Sequence, residues 1–205
     1  MAGRILRGDI ETIRAVIWFS DLRGFTAIAG SMEPAAVMGI LNDLFDCQVP
    51  AIERRGGEVL KFMGDGLLAI FPIEEQSRPV RELCDLALEA VADAFGALER
   101  LNTTRSERGD AAIRFGLALH LGDVAYGNIG GSGRLDFTCI GTAVNVASRL
   151  EGLTERLGRP VVLSDEFARL TSRHVEPLGT HELRGVAELQ RVWAPFGPPS
   201  QARLP

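Results

Sequence analysis

Two aspartates in this 205-residue chain stand where metal chemistry is possible. Asp21 follows an apolar run in FSDLRGFT, residues 19–26, and Asp65 lies in VLKFMGDGLLAIF, residues 59–71. A third segment, DFTCIGTAVNVASRLE, residues 136–151, carries Asn145 and Arg149 four positions apart. Hard divalent cations take oxygen ligands and leave positions for phosphate oxygens. Two of them can activate a hydroxyl and hold a leaving group. A guanidinium beside an amide suits a charged phosphoryl intermediate. Together these residue types point to chemistry on a nucleotide. Each aspartate alone is also an ordinary turn residue. Asn145 and Arg149, with Ser148 and Gly152, also make an ordinary solvated helix face opposite Ala143, Val146, Ala147 and Leu150.

Leu22, Arg23, Gly24, Phe25 and Thr26 follow Asp21. Backbone N–H groups at such a turn, opening toward a helix, can cradle a polyphosphate. Short glycine turns are common, so the segment is weak on its own. His120 stands between Leu119 and Leu121 on an apolar strand and reads as a packed structural histidine rather than a general base.

The elements that must position these residues follow from periodicity. An apolar run at 15–19 reads as a buried strand. A helix is expected over 33–54, with Val37, Leu41, Leu44 and Phe45 on one face and Gly56-Gly57 ending it. Strands at 59–63 and 67–71 flank Gly64-Asp65-Gly66, a hairpin in which Asp-Gly would supply the positive φ. A polar loop covers 73–78. A helix is expected over 79–101 and a mobile polar loop over 102–110. Strict alternation predicts a strand at 113–121. A glycine-rich stretch over 122–133 holds a strand at 124–129, and a helix runs from Thr142 to about Leu157. Short strands and a small helix follow from Val161. The order β-α-β-β-α-β predicts an α+β fold with a ferredoxin-like core and additional C-terminal strands and helices. In that sheet the first and third strands are neighbours, so Asp21 and Asp65 can converge at one end. Residues 1–13 read as a lead-in, 14–197 as one domain and 198–205 as a flexible tail.

Composition narrows the class. The chain is 46% hydrophobic and 24% charged, ordinary for a soluble domain. A net charge of -5 argues against a general nucleic-acid binder. Cys47, Cys84 and Cys139 match no zinc spacing and no complete disulfide set, so free thiols in a reducing cytoplasm are expected. No apolar run approaches the ~18 residues of a membrane span. Asp9 and Glu11 precede any signal-like stretch. The expected location is cytoplasmic.

FSDLRGFT, KFMGDG and GTAVNVASR, in this order, resemble the class III nucleotidyl cyclase catalytic domain, the adenylate and guanylate cyclase family. The resemblance covers roughly residues 14 to 195. It implies a head-to-tail homodimer with shared active sites, two divalent cations (Mg²⁺ or Mn²⁺), and conversion of a nucleoside triphosphate to a 3′,5′-cyclic monophosphate and pyrophosphate. By position, Asp21 and Asp65 match the metal aspartates, and Asn145 and Arg149 the transition-state pair. Lys61 and Thr138 match the purine-selecting positions. Arg184, in HELRG, matches a basic residue that holds the triphosphate, and a surface arginine at a strand end is the alternative. Many adenylate cyclases carry Asp where Thr138 stands, and guanylate cyclases a Glu and Cys combination. The Lys/Thr pair resembles a bicarbonate-responsive adenylate cyclase subgroup, which implies ATP as substrate and bicarbonate as a regulator. A guanylate cyclase and a catalytically silent cyclase-like module are the rival readings.

Overall fold

Strand β1 (Ile10–Leu22) is the spine of the fold, because it pairs antiparallel on both sides. The computed structural model describes residues 10–73, 78–131 and 134–197, apart from the side chains of residues 10, 11, 126, 128–131 and 134–138. The expected lead-in before residue 10, most of the 73–78 loop and the tail from 198 lie outside the described residues. After β1 come α1 (Phe25–Ser31), α2 (Pro34–Arg54), β2 (Glu58–Met63), β3 (Gly66–Pro72), α3 (Val80–Glu107), β4 (Phe115–Gly131) and β5 (Arg134–Ile140). The chain continues with α4 (Thr142–Glu151), α5 (Leu153–Arg156), β6 (Val161–Ser164), α6 (Asp165–Ala168), β7 (Val175–His181) and β8 (Gln190–Pro195).

One sheet runs β2-β3-β1-β4-β6-β8-β7, with β5 paired to β4. The β4–β6 pairing is parallel and the others are antiparallel, so this is an α+β fold on a mixed sheet. Its first four strands, β2-β3-β1-β4, stand in the ferredoxin-like order.

Alternation along β1 divides its side chains between two layers. Val16, Trp18 and Leu22 join Leu44 and Ile52 of α2 and Phe95 and Leu98 of α3 in the main core. Ala15 and Ile17 face the other way, onto Leu68, Ile70 and the Ala143/Ala147 side of α4. A buried polar clamp fastens α2 to β1 just before the first aspartate. Gln48 Oε1 accepts hydrogen bonds from Trp18 Nε1 at 3.2 Å and Ser20 Oγ at 2.6 Å. Helix α2 has 21 residues and a mean hydropathy of 1.2 in its most apolar stretch, enough by length and composition to cross a membrane. The expectation that no segment comes near such a span is corrected to that extent. One face of α2, Val37 to Ile52, is buried against the sheet, the pattern of a core helix.

Several expected boundaries move. Residues 10–13 belong to β1, where they pair with 124–127 of β4. The short helix α1 was not expected. Helix α3 runs on through the supposed loop to Glu107. Its last turns are polar, yet Asn102 donates to and accepts from the Ile113 backbone at 2.8 Å, and Arg105 Nε donates to the Ala111 carbonyl at 2.9 Å. Strand β4 does not break at Gly122. There the missing side chain serves packing, since a Cβ would lie 2.6 Å from that of Ala143 on α4. Strand β5 was not expected, and the helix from Thr142 divides at Gly152 into α4 and α5. The β2–β3 turn takes its positive φ at Gly64 (68°), not at Asp65.

All three cysteines are free and buried. Burial pushes the Cys47 and Cys84 thiols up to about 11 and about 12.

Gly122→Ala forces β4 and α4 apart. Overpacking of this kind costs about 1–3 kcal/mol. A thermal melt should show a midpoint lower by roughly 2–10 °C, and an unchanged midpoint would contradict the tight β4–α4 contact.

Candidate active site

The register of β1 sets the site. Asp21 stands opposite Gly66 of β3 on one side and Gly116 of β4 on the other. Asp65 occupies the β2–β3 turn, and its carbonyl accepts the Leu22 N–H at 3.3 Å. The turn is thereby tied to the end of β1, and the Asp65 carboxyl is brought near enough for its charge to act on Asp21. Partial burial, then the neighbouring Asp65 charge, push the Asp21 carboxyl up to about 6, although Arg23 pulls the other way. Two carboxylates held together repel each other, and a hard divalent cation between them relieves that repulsion. The donor set therefore fits divalent metal. Among the described residues no group of three or more His, Cys, Asp or Glu side chains is arranged to hold a metal ion. The pair would supply two carboxylates and leave the remaining coordination to other oxygens.

The segment after Asp21 divides its duties. The N–H groups of Leu22 and Arg23 are already spent on the carbonyls of Asp65 and Arg114. Those of Gly24, Phe25 and Thr26 stand at the start of α1, where a helix leaves its first donors unpaired. The Arg23 side chain turns away to Glu151, the last residue of α4, with 2.9 Å between Nη2 and Oε1. Thr154 Oγ1 donates to the Glu151 carbonyl at 2.6 Å. Burial pushes the Glu151 carboxyl up to about 7 against the pull of Arg23. This ion pair was not anticipated from the sequence. Its only early sign was an unpaired acidic residue beside the apolar face of a helix.

Among the described residues no hydrogen bond or ion pair joins the other expected site residues to the aspartates. Asn145 and Arg149 share the exposed face of α4, while Ala143, Val146, Ala147 and Leu150 are buried. Lys61 is exposed on β2, an edge strand. It pairs with Leu68, which pairs with Phe19 of β1, so Lys61 and Asp21 are on the same face of the sheet. Thr138 pairs through its backbone with Gly127, and its side chain lies outside the described residues. Arg184 is exposed in the turn between β7 and β8. His120 pairs with Ile17, four positions along β1 from Asp21. It is 7% exposed, and burial lowers its pKa although Glu166 lies 3.7 Å away.

The sequence profile of the "Adenylate and Guanylate cyclase catalytic domain" family matches residues 10–194. The chain belongs to this family and is a class III nucleotidyl cyclase catalytic domain. It is 36% identical over 166 residues to an adenylate cyclase of Anabaena cylindrica, covering 79% of this chain and 32% of that protein. It is 31% identical over 172 residues to adenylate cyclase 1 of Rhizobium meliloti, covering 82% of this chain and 25% of that protein. The chain thus spans a third or less of the length of these relatives. A bacterial light-regulated adenylyl cyclase superposes with a TM-score of 0.80 at 27% identity, over 96% of this chain and 54% of that one. The guanylyl cyclase Cya2 superposes at 0.76 and 26% identity, over 98% and 100% of the two chains.

The raised Asp21 carboxyl has a consequence for stability. Its folded pKa lies above the unfolded value, so the fold carries a cost that is absent below the ordinary aspartate range and complete above about 6. Asp21→Asn should raise the melting midpoint of metal-free protein at neutral pH by a few degrees, and the gain should shrink as pH falls through that window. Mn²⁺ should raise the wild-type midpoint and leave the variant's unmoved. A variant that gains as much stability from Mn²⁺ as the wild type would remove Asp21 from the metal site.

Proposed function

We propose that this domain is an adenylate cyclase, converting ATP to 3′,5′-cyclic AMP and pyrophosphate at sites shared across a homodimer. One observation carries the reading. The carboxylate pair and the exposed Asn145/Arg149 face belong to one chain, but no hydrogen bond or ion pair joins them among the described residues. Each looks like half of a site that a second copy completes. One chain would give Asp21 and Asp65, and its partner Lys61, Thr138, Asn145, Arg149 and Arg184.

Asp21 and Asp65 would hold two divalent cations, Mg²⁺ or Mn²⁺. When bound, these supply Lewis acidity that lowers the pKa of the 3′-hydroxyl and screens the triphosphate. The unpaired N–H groups of Gly24, Phe25 and Thr26 offer donors to phosphate oxygens. Asn145 orients the ribose, and Arg149 stabilises the charge that develops at the α-phosphorus. Arg184 adds a planar donor fork for the triphosphate. Lys61 donates to adenine N1, and the Thr138 hydroxyl accepts from the 6-amino group. Guanine presents an N–H and a carbonyl at those atoms, the reverse pattern, so ATP is favoured over GTP. Likeness to a guanylyl cyclase of known structure keeps GTP as the second substrate to test. We place the domain in the cytoplasm, consistent with its free buried thiols.

Purified protein should form cyclic AMP from ATP with Mg²⁺ or Mn²⁺, and formation of cyclic GMP from GTP should be minor. Asp65→Ala and Arg149→Ala homodimers should each be nearly inactive. Mixed in equal amounts, they should recover about a quarter of the parent rate, because half the dimers then hold one intact site of two. Absence of recovery, with heterodimers shown to form, would rule out the shared site. Absence of any product from the parent dimer would favour a silent module. Bicarbonate should raise turnover at fixed pH if the Lys61/Thr138 likeness extends to regulation, and a flat titration would remove that idea.

A further inference from the structure

The Arg23–Glu151 ion pair joins two pieces of the proposed machinery that serve different sites. Arg23 is two residues beyond Asp21, and Glu151 is two residues beyond Arg149. The pair is well shielded, with Arg23 19% and Glu151 7% exposed at the side chain. It lies over Gly116, the β4 residue that pairs with Asp21. Any Cβ at position 116 would collide with the Arg23 guanidinium, the Glu151 carboxylate and the Thr154 hydroxyl. The space above the strand is thus reserved for this contact. The same carboxylate oxygen has a second neighbour. Thr154, itself fully buried, is within 3.3 Å of Glu151 Oε1. The Arg23 Nη2 atom is buried with no well-aligned hydrogen-bond acceptor, so its attraction to Glu151 is chiefly that of charge.

We propose that Arg23 and Glu151 are positioning residues, a strut that holds the Asp21 strand end and the Arg149 helix end of one chain at a fixed spacing. The proposal rests on the shared-site reading. In such a dimer one end of the strut serves one site and the other end serves the second. Neither residue touches substrate. Each acts through its neighbour, Arg23 through Asp21 and Glu151 through Arg149. Replacing a whole buried charge pair can be neutral, but removing one partner leaves the other buried and uncompensated, and a misplacement of about 1 Å can cost catalysis about a hundredfold.

The test uses the one-site heterodimer, in which the Arg149→Ala chain supplies the aspartates and the Asp65→Ala chain supplies Arg149. Glu151→Gln, nearly isosteric, is placed on one chain at a time. The strut predicts that kcat falls about tenfold from either placement, with KM for ATP changed by less than about threefold. A loss only when the variant is on the Arg149-supplying chain would mean a local defect of α4 and would overturn the proposal, as would no loss from either placement. Arg23→Lys, which keeps the charge, should retain more activity than Arg23→Met. Hydrogen exchange on the metal-free wild-type and Glu151→Gln homodimers gives a reading independent of turnover. Amides at 19–24 and at 142–151 should both exchange faster in the variant, and unchanged exchange at 19–24 would overturn the strut. If the parent protein makes no cyclic nucleotide, the cyclase reading fails, and the exchange result alone decides whether the strut exists.

Discussion

Everything at this site depends on the register of one strand. β1 is laddered on both sides, so its side chains cannot slip by a residue without sending Asp21 into the apolar core and Trp18 out of it. The Gln48 clamp reinforces that register from the α2 layer. Its amide oxygen takes both the indole and the Ser20 hydroxyl, and a shifted strand would leave three buried polar groups unpaired. The aspartate that repels its neighbour is therefore held by structure that gains nothing from moving. The electrostatic cost at the strand end is local, while the packing and hydrogen bonds that enforce it extend over the whole of β1.

A second constraint is the close seating of α4. Gly116 and Gly122 remove side chains from β4 at the positions beneath the Arg23–Glu151 pair and Ala143. The helix can then lie low on the sheet, with its apolar side fully buried and its polar side turned outward. That placement gives an exposed polar face on the helix layer and a carboxylate pair at the end of the central strand. No hydrogen bond or ion pair links the two among the described residues, which is the arrangement the proposed shared site requires.

The parts of this arrangement that follow from local pattern were legible in the residues. Helices with a clear apolar stripe, such as α2, and the alternating stretch of β4 announce themselves, and the β2–β3 hairpin and the exposed face of α4 were also readable. Polarity misled at 102–107, where side chains capped and clamped a helix end instead of forming a loop. Glycine misled at 122, because space for a neighbouring helix looks the same in a sequence as a break. The turn at 64–65 shows the reverse case, a correct hairpin with its positive φ on the other residue. The partner of Arg23 was invisible, since nothing local links residue 23 to residue 151. Long-range ion pairs of this kind appear only once the sheet is assembled.

Lys61 has a different relation to the fold. It is exposed on an edge strand, and no hydrogen bond or ion pair holds it among the described residues. Replacing it disturbs no core contact, whereas replacing Trp18 or Gln48 would. Under the base-reading role proposed for Lys61, preference would be free to change by substitution there while the scaffold keeps its stability. On that reading, substrate choice and folding would rest on separate residues of one architecture.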